Sequence, residues 1–350
     1  MNRLLTCGML AILALPALPD TAAAQVYPER VVVRERAVAV AYQRGRRDDN
    51  RDEQVERTTR TVKLGANALL ALGNIAGDIT VTRGGGSEAT IEIVKTARGR
   101  DAADVREQLE MVQVEVTERA GRAEVRTRYP NDESRRNNRR NFNVSVAYNV
   151  AAPAGTRISL ESISGNIKIT DIKGEISANT ISGDVRITGA GRINAAKTIS
   201  GAVEIVDAQI DGALDSSSVS GDVVLRRVTA RRIDAGSVSG NIRLEELQCD
   251  RVSASSTSGS VAYAGTLARN GRYEMNSFSG EIRLVLSGNT GFEIDANSHS
   301  GEVRSDLAIT TRGPETTRRG RRTTLSGTYG DGSAMLDLTT FSGSIVISRK

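Results

Sequence analysis

A Ser-Gly dipeptide recurs through the 350-residue chain with its glycine at Gly165, Gly183, Gly201, Gly221, Gly240, Gly259, Gly280, Gly301 and Gly343. Successive steps are 18, 18, 20, 19, 19, 21, 21 and 42 residues, the last being twice 21. A period of that size constrains the fold more than any local propensity does. Two residues after each glycine stands a β-branched residue: Ile167, Val185, Val203, Val223, Ile242, Val261, Ile282, Val303 and Ile345. Three residues before it stands a hydroxyl: Ser162, Thr180, Thr198, Ser218, Ser237, Ser256, Ser277, Ser298 and Thr340.

Each unit offers two short alternating runs, such as Ile176 to Thr180 and Val185 to Ile187, separated by the Ser-Gly corner. Strands this short cannot bury an apolar face alone, so neighbouring units must stack, like residues above like. The expected fold is all-β: a single-stranded parallel β-helix, or β-solenoid, with Ser-Gly corner repeats of about 19 residues, preceded by a smaller β-rich N-terminal part. Glycine at the corner permits a backbone that a Cβ forbids, and the adjacent serine bonds locally. The inward parity of Ile176, Ala178 and Thr180 does not carry through to Val185 and Ile187, so the phase slips near the corner. If the slip follows the apolar residue two before the glycine, that column is an exposed stripe; if it precedes it, the column is core, and core is the expectation adopted.

With no Trp, four Phe, one His and two Cys, the chain cannot build a multi-histidine metal site, a cysteine-rich zinc site or a disulfide framework. Aromatic platforms for stacking bases are scarce and the net charge of +5 is modest, so nucleic acid is not an expected partner. Met1 to Arg3, the apolar run Leu4 to Leu18 and Ala22-Ala23-Ala24 read as a signal peptide over residues 1–24. The chain is therefore expected to be exported, to the periplasm, the outer surface or the medium, with no transmembrane helix after signal removal. Residues 25–60 read as a disordered charged linker, residues 61–150 as the β-rich N-terminal part, and residues 151–350 as the solenoid with a basic insertion at about 311–323. Strands are expected at Thr61 to Leu64, Ile79 to Val81, Ala89 to Val94, Val112 to Val116, Ala123 to Thr127 and Val144 to Val150. A helix is expected from Ala102 to Leu109 behind Asp101 as N-cap, and an exposed loop from Asn131 to Asn141.

No catalytic, metal-ligating or cofactor-binding residue is assigned. His299 occupies a repeat position held elsewhere by Ile163, Ile181, Ile199, Val219, Val238, Thr257, Phe278 and Phe341 and reads as a drift from apolar to His, and Gly84-Gly85-Gly86 lacks the lysine and Ser/Thr of a phosphate loop and reads as a turn. Cys249 aligns with Ile210 and Ala230 as a buried thiol. Asp222, Glu281 and Glu302, each just after a corner glycine, are the carboxylates that a polysaccharide-active β-helix enzyme would use, and equally ordinary turn residues. Binding is better supported. Three residues after the glycine, Lys168, Arg186, Arg243, Arg283 and Arg304 form a broken basic column suited to an anionic polysaccharide or envelope surface, unless they pair with nearby acids. Arg312, Arg318, Arg319, Arg321 and Arg322 form a second basic cluster in the insertion.

The run Val146-Ala147-Tyr148-Asn149-Val150-Ala151-Ala152-Pro153-Ala154-Gly155-Thr156, followed by Ser-Gly-Asn-Ile and Ser-Gly-Asp-Val repeats, resembles the bacterial β-strand-repeat family called “putative adhesins”, a domain of unknown function. The resemblance extends to Gly77-Asp78-Ile79-Thr80-Val81 and to Phe341-Ser342-Gly343-Ser344-Ile345, and it covers roughly residues 61–350. It brings no catalytic residues. It implies a non-enzymatic protein that binds or scaffolds at the envelope; the competing expectations are a polysaccharide-active enzyme and a self-assembling structural element.

Overall fold

A computed structural model describes residues 35–43, 52–65, 67–130, 142–311, 317–319 and 322–350, with backbone alone for 35–43, 317–319 and Arg322. The expected signal peptide and the loop from Asn131 to Asn141 lie outside these residues. The described chain is all-β, a single 28-stranded sheet with one short helix, wound in a β-solenoid-like manner.

Alternation sets the interior. In Glu175–Ser182, Ile176, Ala178 and Thr180 point inward; in Val185–Thr188, Val185 and Ile187 do. Each strand pairs in parallel with its counterpart one unit away, so Ile167 lies beside Val185, Val185 beside Val203, and Val203 beside Val223. Full burial of such side chains contributes about 1.5–3 kcal/mol each, and the stacked column rather than any one coil accumulates it.

The corner explains the invariant glycine. A Cβ on Gly221 would lie closer than 3.0 Å to the carbonyl oxygen of Gly201, and the same holds for Gly240 over Gly221 and Gly259 over Gly240. The hydroxyl three residues earlier donates to that same carbonyl: Ser218 Oγ to Gly201 O at 2.8 Å, Thr198 Oγ1 to Gly183 O at 2.9 Å, Ser237 Oγ to Gly221 O at 3.0 Å. The serine or threonine column is thus inward, and it satisfies a carbonyl that the sheet ladder leaves behind.

Stacking does not follow chain order at either end. At the C-terminal end, Arg272–Ser277 pairs with Ala334–Thr340, which pairs on its other edge with Phe292–Ser298. The corner order is therefore Gly259, Gly280, Gly343, Gly301, with the last coil in sequence inserted beneath the one before it. Arg322–Tyr329 then runs antiparallel to Phe292–Ser298 and closes the stack, and Thr323 Oγ1 donates to Gly301 O at 3.0 Å. Among the described residues, the 42-residue step thus holds this antiparallel cap and the return of the chain rather than a further coil. At the N-terminal end, Leu69–Ala76 lies between Arg122–Arg128 and Arg157–Ser164 in the same way. Gln113–Arg119 and Glu88–Gly99 add antiparallel strands there. Antiparallel closure ends each ladder in a pairing that does not extend the parallel repeat.

The charged linker expected to be disordered is corrected in part. Asp52–Lys63 pairs antiparallel along its whole length with Glu88–Gly99, and Glu35–Gln43 pairs with it in turn. Cross-strand pairs Arg57–Glu92 at 3.1 Å and Arg98–Glu53 at 2.9 Å answer the charge that made the segment look unfoldable. The helix is Ala102–Met111, and Asp101 Oδ1 accepts the Asp104 N–H at 2.8 Å as its N-cap. The strand Leu69–Ala76 was not anticipated. Among the described residues, no helix is long and apolar enough to cross a membrane.

Candidate binding surface

The column two residues before each corner glycine is exposed, which corrects the expectation that it is core. Inward parity holds through Thr180, so Ile181 points outward, and the backbone resets only across Ser182 to Asp184. Ile163, Ile181, Ile199, Val219, Val238, Phe278 and Phe341 are each between 46% and 58% exposed. Scattered exposed apolar residues are ordinary, whereas seven in one line, interrupted by Thr257 between Val238 and Phe278, form a ridge.

The inserted coil gives the ridge an aromatic end. Phe341 stacks on Phe278 with ring centroids 4.9 Å apart and planes 1° from parallel, and His299 stacks on its other face at 4.7 Å and 8°. Two hollows flank the ridge. One of about 800 Å³ runs beside Ile163, Ile181, Ile199 and Val219, and one of about 390 Å³ is bounded by Phe278, Phe341, His299, Asn276 and Asn297. His299 is thus a ring in an apolar stack.

Beyond the ridge, Glu274, Asp337 and Asp295 lie side by side on neighbouring strands. None is in an ion pair among the described residues. Burial, then Asp295 and Glu274, raises the Asp337 carboxyl above its ordinary value. A carboxyl raised in the folded state contributes stability at acid pH that is lost as pH rises through the raised value. Asp337→Asn is therefore expected to raise Tm at neutral pH, with the gain vanishing as the carboxylates protonate; thermal melts across mildly acidic to neutral pH check both halves. A variant that melts lower at neutral pH would contradict the like-charge reading.

The basic column lies on the outer face of the other strand set. Arg186 pairs with Glu204 of the next coil at 2.7 Å, Arg243 with Asp222 of the previous coil at 2.7 Å, Arg283 with Glu281 at 2.7 Å, and Arg304 with Glu302. Lys168 stands between Thr80 and Arg186. These are surface pairs, each contributing at most about 1 kcal/mol, and they offset much of the column's positive field. Thr317–Arg319 pairs antiparallel with Arg322–Tyr329, which places the backbones of Arg318, Arg319 and Arg322; Arg312 and Arg321 lie outside the described residues.

The carboxylates of the enzyme alternative are not brought together. Ser344 stands between Glu281 and Glu302, because the last coil is inserted between theirs. Burial pulls the Asp222 carboxyl upward, but the Asn241 N–H at 2.9 Å and the Arg243 guanidinium outweigh it and hold it below its ordinary value. That direction opposes a general acid. Cys249 is buried beside Ala230, and burial pushes its thiol up, away from the reactive thiolate. Among the described residues, no group of three His, Cys, Asp or Glu is arranged to hold a metal.

Sequence reasoning missed the Phe278–Phe341–His299 stack and the Glu274–Asp337–Asp295 row. Both depend on the inserted coil, for which the sequence offers only the doubled 42-residue step as a signal.

The family model described as Toastrack DUF4097 matches residues 70–348. No curated protein matches the chain. Among solved structures, one described as a “putative adhesin” from Bacteroides fragilis is similar at 15% identity, covering 84% of this chain and 97% of that one with a TM-score of 0.38. One described as a “putative lipid binding protein” from Parabacteroides distasonis is similar at 13% identity, covering 84% and 96% with a TM-score of 0.40.

Proposed function

Because the chain belongs to the Toastrack DUF4097 family, we propose that it is an exported, non-enzymatic surface protein of the adhesin type, binding or scaffolding at the cell envelope through its apolar ridge. The ridge carries this reading: it is a long, largely apolar contact line, whereas Glu281 and Glu302 are ion-paired and held apart, Asp222 is ion-paired and Cys249 is buried. In support of export stands the signal-like run over residues 1–24. We read the coils as a single-stranded parallel β-helix with Ser-Gly units of about 19 residues, supported by the in-register ladders. Repetition then follows from function, since a strip of any length is made by adding coils.

The basic column is a subordinate contact for an anionic polysaccharide or lipid surface, its guanidiniums outward but already paired. Retention of the mature chain on isolated bacterial envelopes tests the reading. The double variant Phe278→Ser, Phe341→Ser is expected to weaken retention about tenfold or more, as loss of two aromatic contacts should. Full retention by a folded double variant would sink the ridge as the contact. Loss with Arg283→Ser and Arg304→Ser instead, steep in salt, would transfer the role to the basic column.

A further inference from the structure

We propose that the occupant of the apolar ridge is a second copy of this chain, docked antiparallel, ridge against ridge, as a side-by-side dimer. This rests on the ridge being the contact face and names its partner.

The first argument is shape. From Ile163 to His299 the ridge crosses nine coils, each set about 4.8 Å from the next, so it is about 38 Å long. Side chains repeating at one spacing are complementary to the same array shifted by half a repeat, as in the dry interface of a steric zipper. Few other partners carry that period; a second copy has it by construction.

The second is area. With the two outward columns beside it, the strip is about 18 Å wide, or roughly 700 Å² per copy, close to the ~800 Å² per partner that stable complexes bury. Its central line, Ile199, Val219 and Val238, is apolar, and the columns beside it carry the paired charges Lys197–Asp215 and Arg232–Asp234, the usual division between an interface core and its rim.

Charge chooses the direction. The strip ends at its C-terminal side in Glu274, Asp337 and Asp295, none of them in an ion pair among the described residues, with Arg272 the cation that acts on Asp337. At the opposite end, Arg122, Arg126 and Lys197 line the larger hollow together with the carboxylates of Glu124, which the first two share, and Glu161. A parallel pair would set three carboxylates against three. An antiparallel pair sets them against the arginine end, and a two-fold axis across the ridge makes the arrangement closed, with both copies using the same patch.

The test is sedimentation equilibrium of the mature chain from low micromolar concentration upward, beside Ile199→Arg and Phe341→Arg. Both positions are about half exposed, so the variants should keep the wild-type melting curve and circular dichroism. The expected result is a concentration-dependent dimer whose Kd rises about a hundredfold or more in each variant. A wild-type chain that stays monomeric throughout, or a dimer unchanged by both variants, overturns the proposal. Direction is read from a spin label on Ser182→Cys, beside the N-terminal half of the ridge: labels several coils apart support the antiparallel pair, and labels in near contact overturn it. Envelope retention measured on the same variants separates the two readings. A monomer whose retention still depends on the ridge overturns the dimer and leaves the envelope contact standing.

Discussion

A chain shortened to end at Ser333 is expected to lose the order of Phe292–Ser298 and Val303–Ser305 as well as the coil removed. Those strands reach the body of the sheet only through Ala334–Thr340 and Ile345–Arg349. Leu336, Leu338, Ile345 and Ile347 are fully buried and contribute about 1.5–3 kcal/mol each on transfer from water, so about 6–12 kcal/mol is withdrawn at one interface. The freed edges of Arg272–Ser277 and Ile282–Leu286 become templates for aggregation. Hydrogen exchange measured strand by strand decides the matter. If coils stacked in chain order, Phe292–Ser298 would keep its protection in the shortened chain; the inserted order predicts that it is lost.

Gly221→Ala is expected to destabilise the protein by about 3 kcal/mol or more, at the top of the range for overpacking, because the atom it meets is backbone. The added methyl would lie closer than 3.0 Å to the Gly201 carbonyl oxygen, which also accepts the Ser218 hydroxyl at 2.8 Å. Neither group can retreat without breaking the ladder it belongs to. Gly236→Ala is the control: its methyl would meet nothing nearer than the Ser217 Cβ at 3.7 Å, an ordinary contact. That variant should be neutral or slightly more stable, because alanine restricts the unfolded chain. Denaturant unfolding of the two variants checks the contrast, and equal losses would show that strand propensity rather than corner contact governs the site.

Much of this was legible before any coordinates. Val185 and Ile187 pointed inward because alternation in a strand has a period of two, and Asp101 capped a helix because its carboxylate matches orphaned N–H groups. The charged leader misled because charge density was read without its partner: Glu53, Glu56 and Arg57 become strand residues once Arg98, Lys95 and Glu92 stand opposite them. The ridge was misjudged for a related reason. Ile181 is apolar, and an apolar residue in a repeat is usually core, but its outward direction depends on where the backbone resets, and that is settled by the stacked glycines.

The sequence by itself determined the unit: its length, its glycine corner, its inward Val and Ile, and its hydroxyl, since each is demanded by contacts between adjacent coils that repeat identically along the stack. Only the tertiary structure decided the order in which units stack. Identical units offer nearly identical edges, so pairing energy alone does not distinguish chain order from insertion; the antiparallel cap over Phe292–Ser298 and the return at Gly330 to Gly332 do. From that order follow the Phe278–Phe341–His299 stack, the Glu274–Asp337–Asp295 row and the separation of Glu281 from Glu302. The ridge itself follows the repeat, whereas its aromatic end and the acidic row arise where the repeat is interrupted.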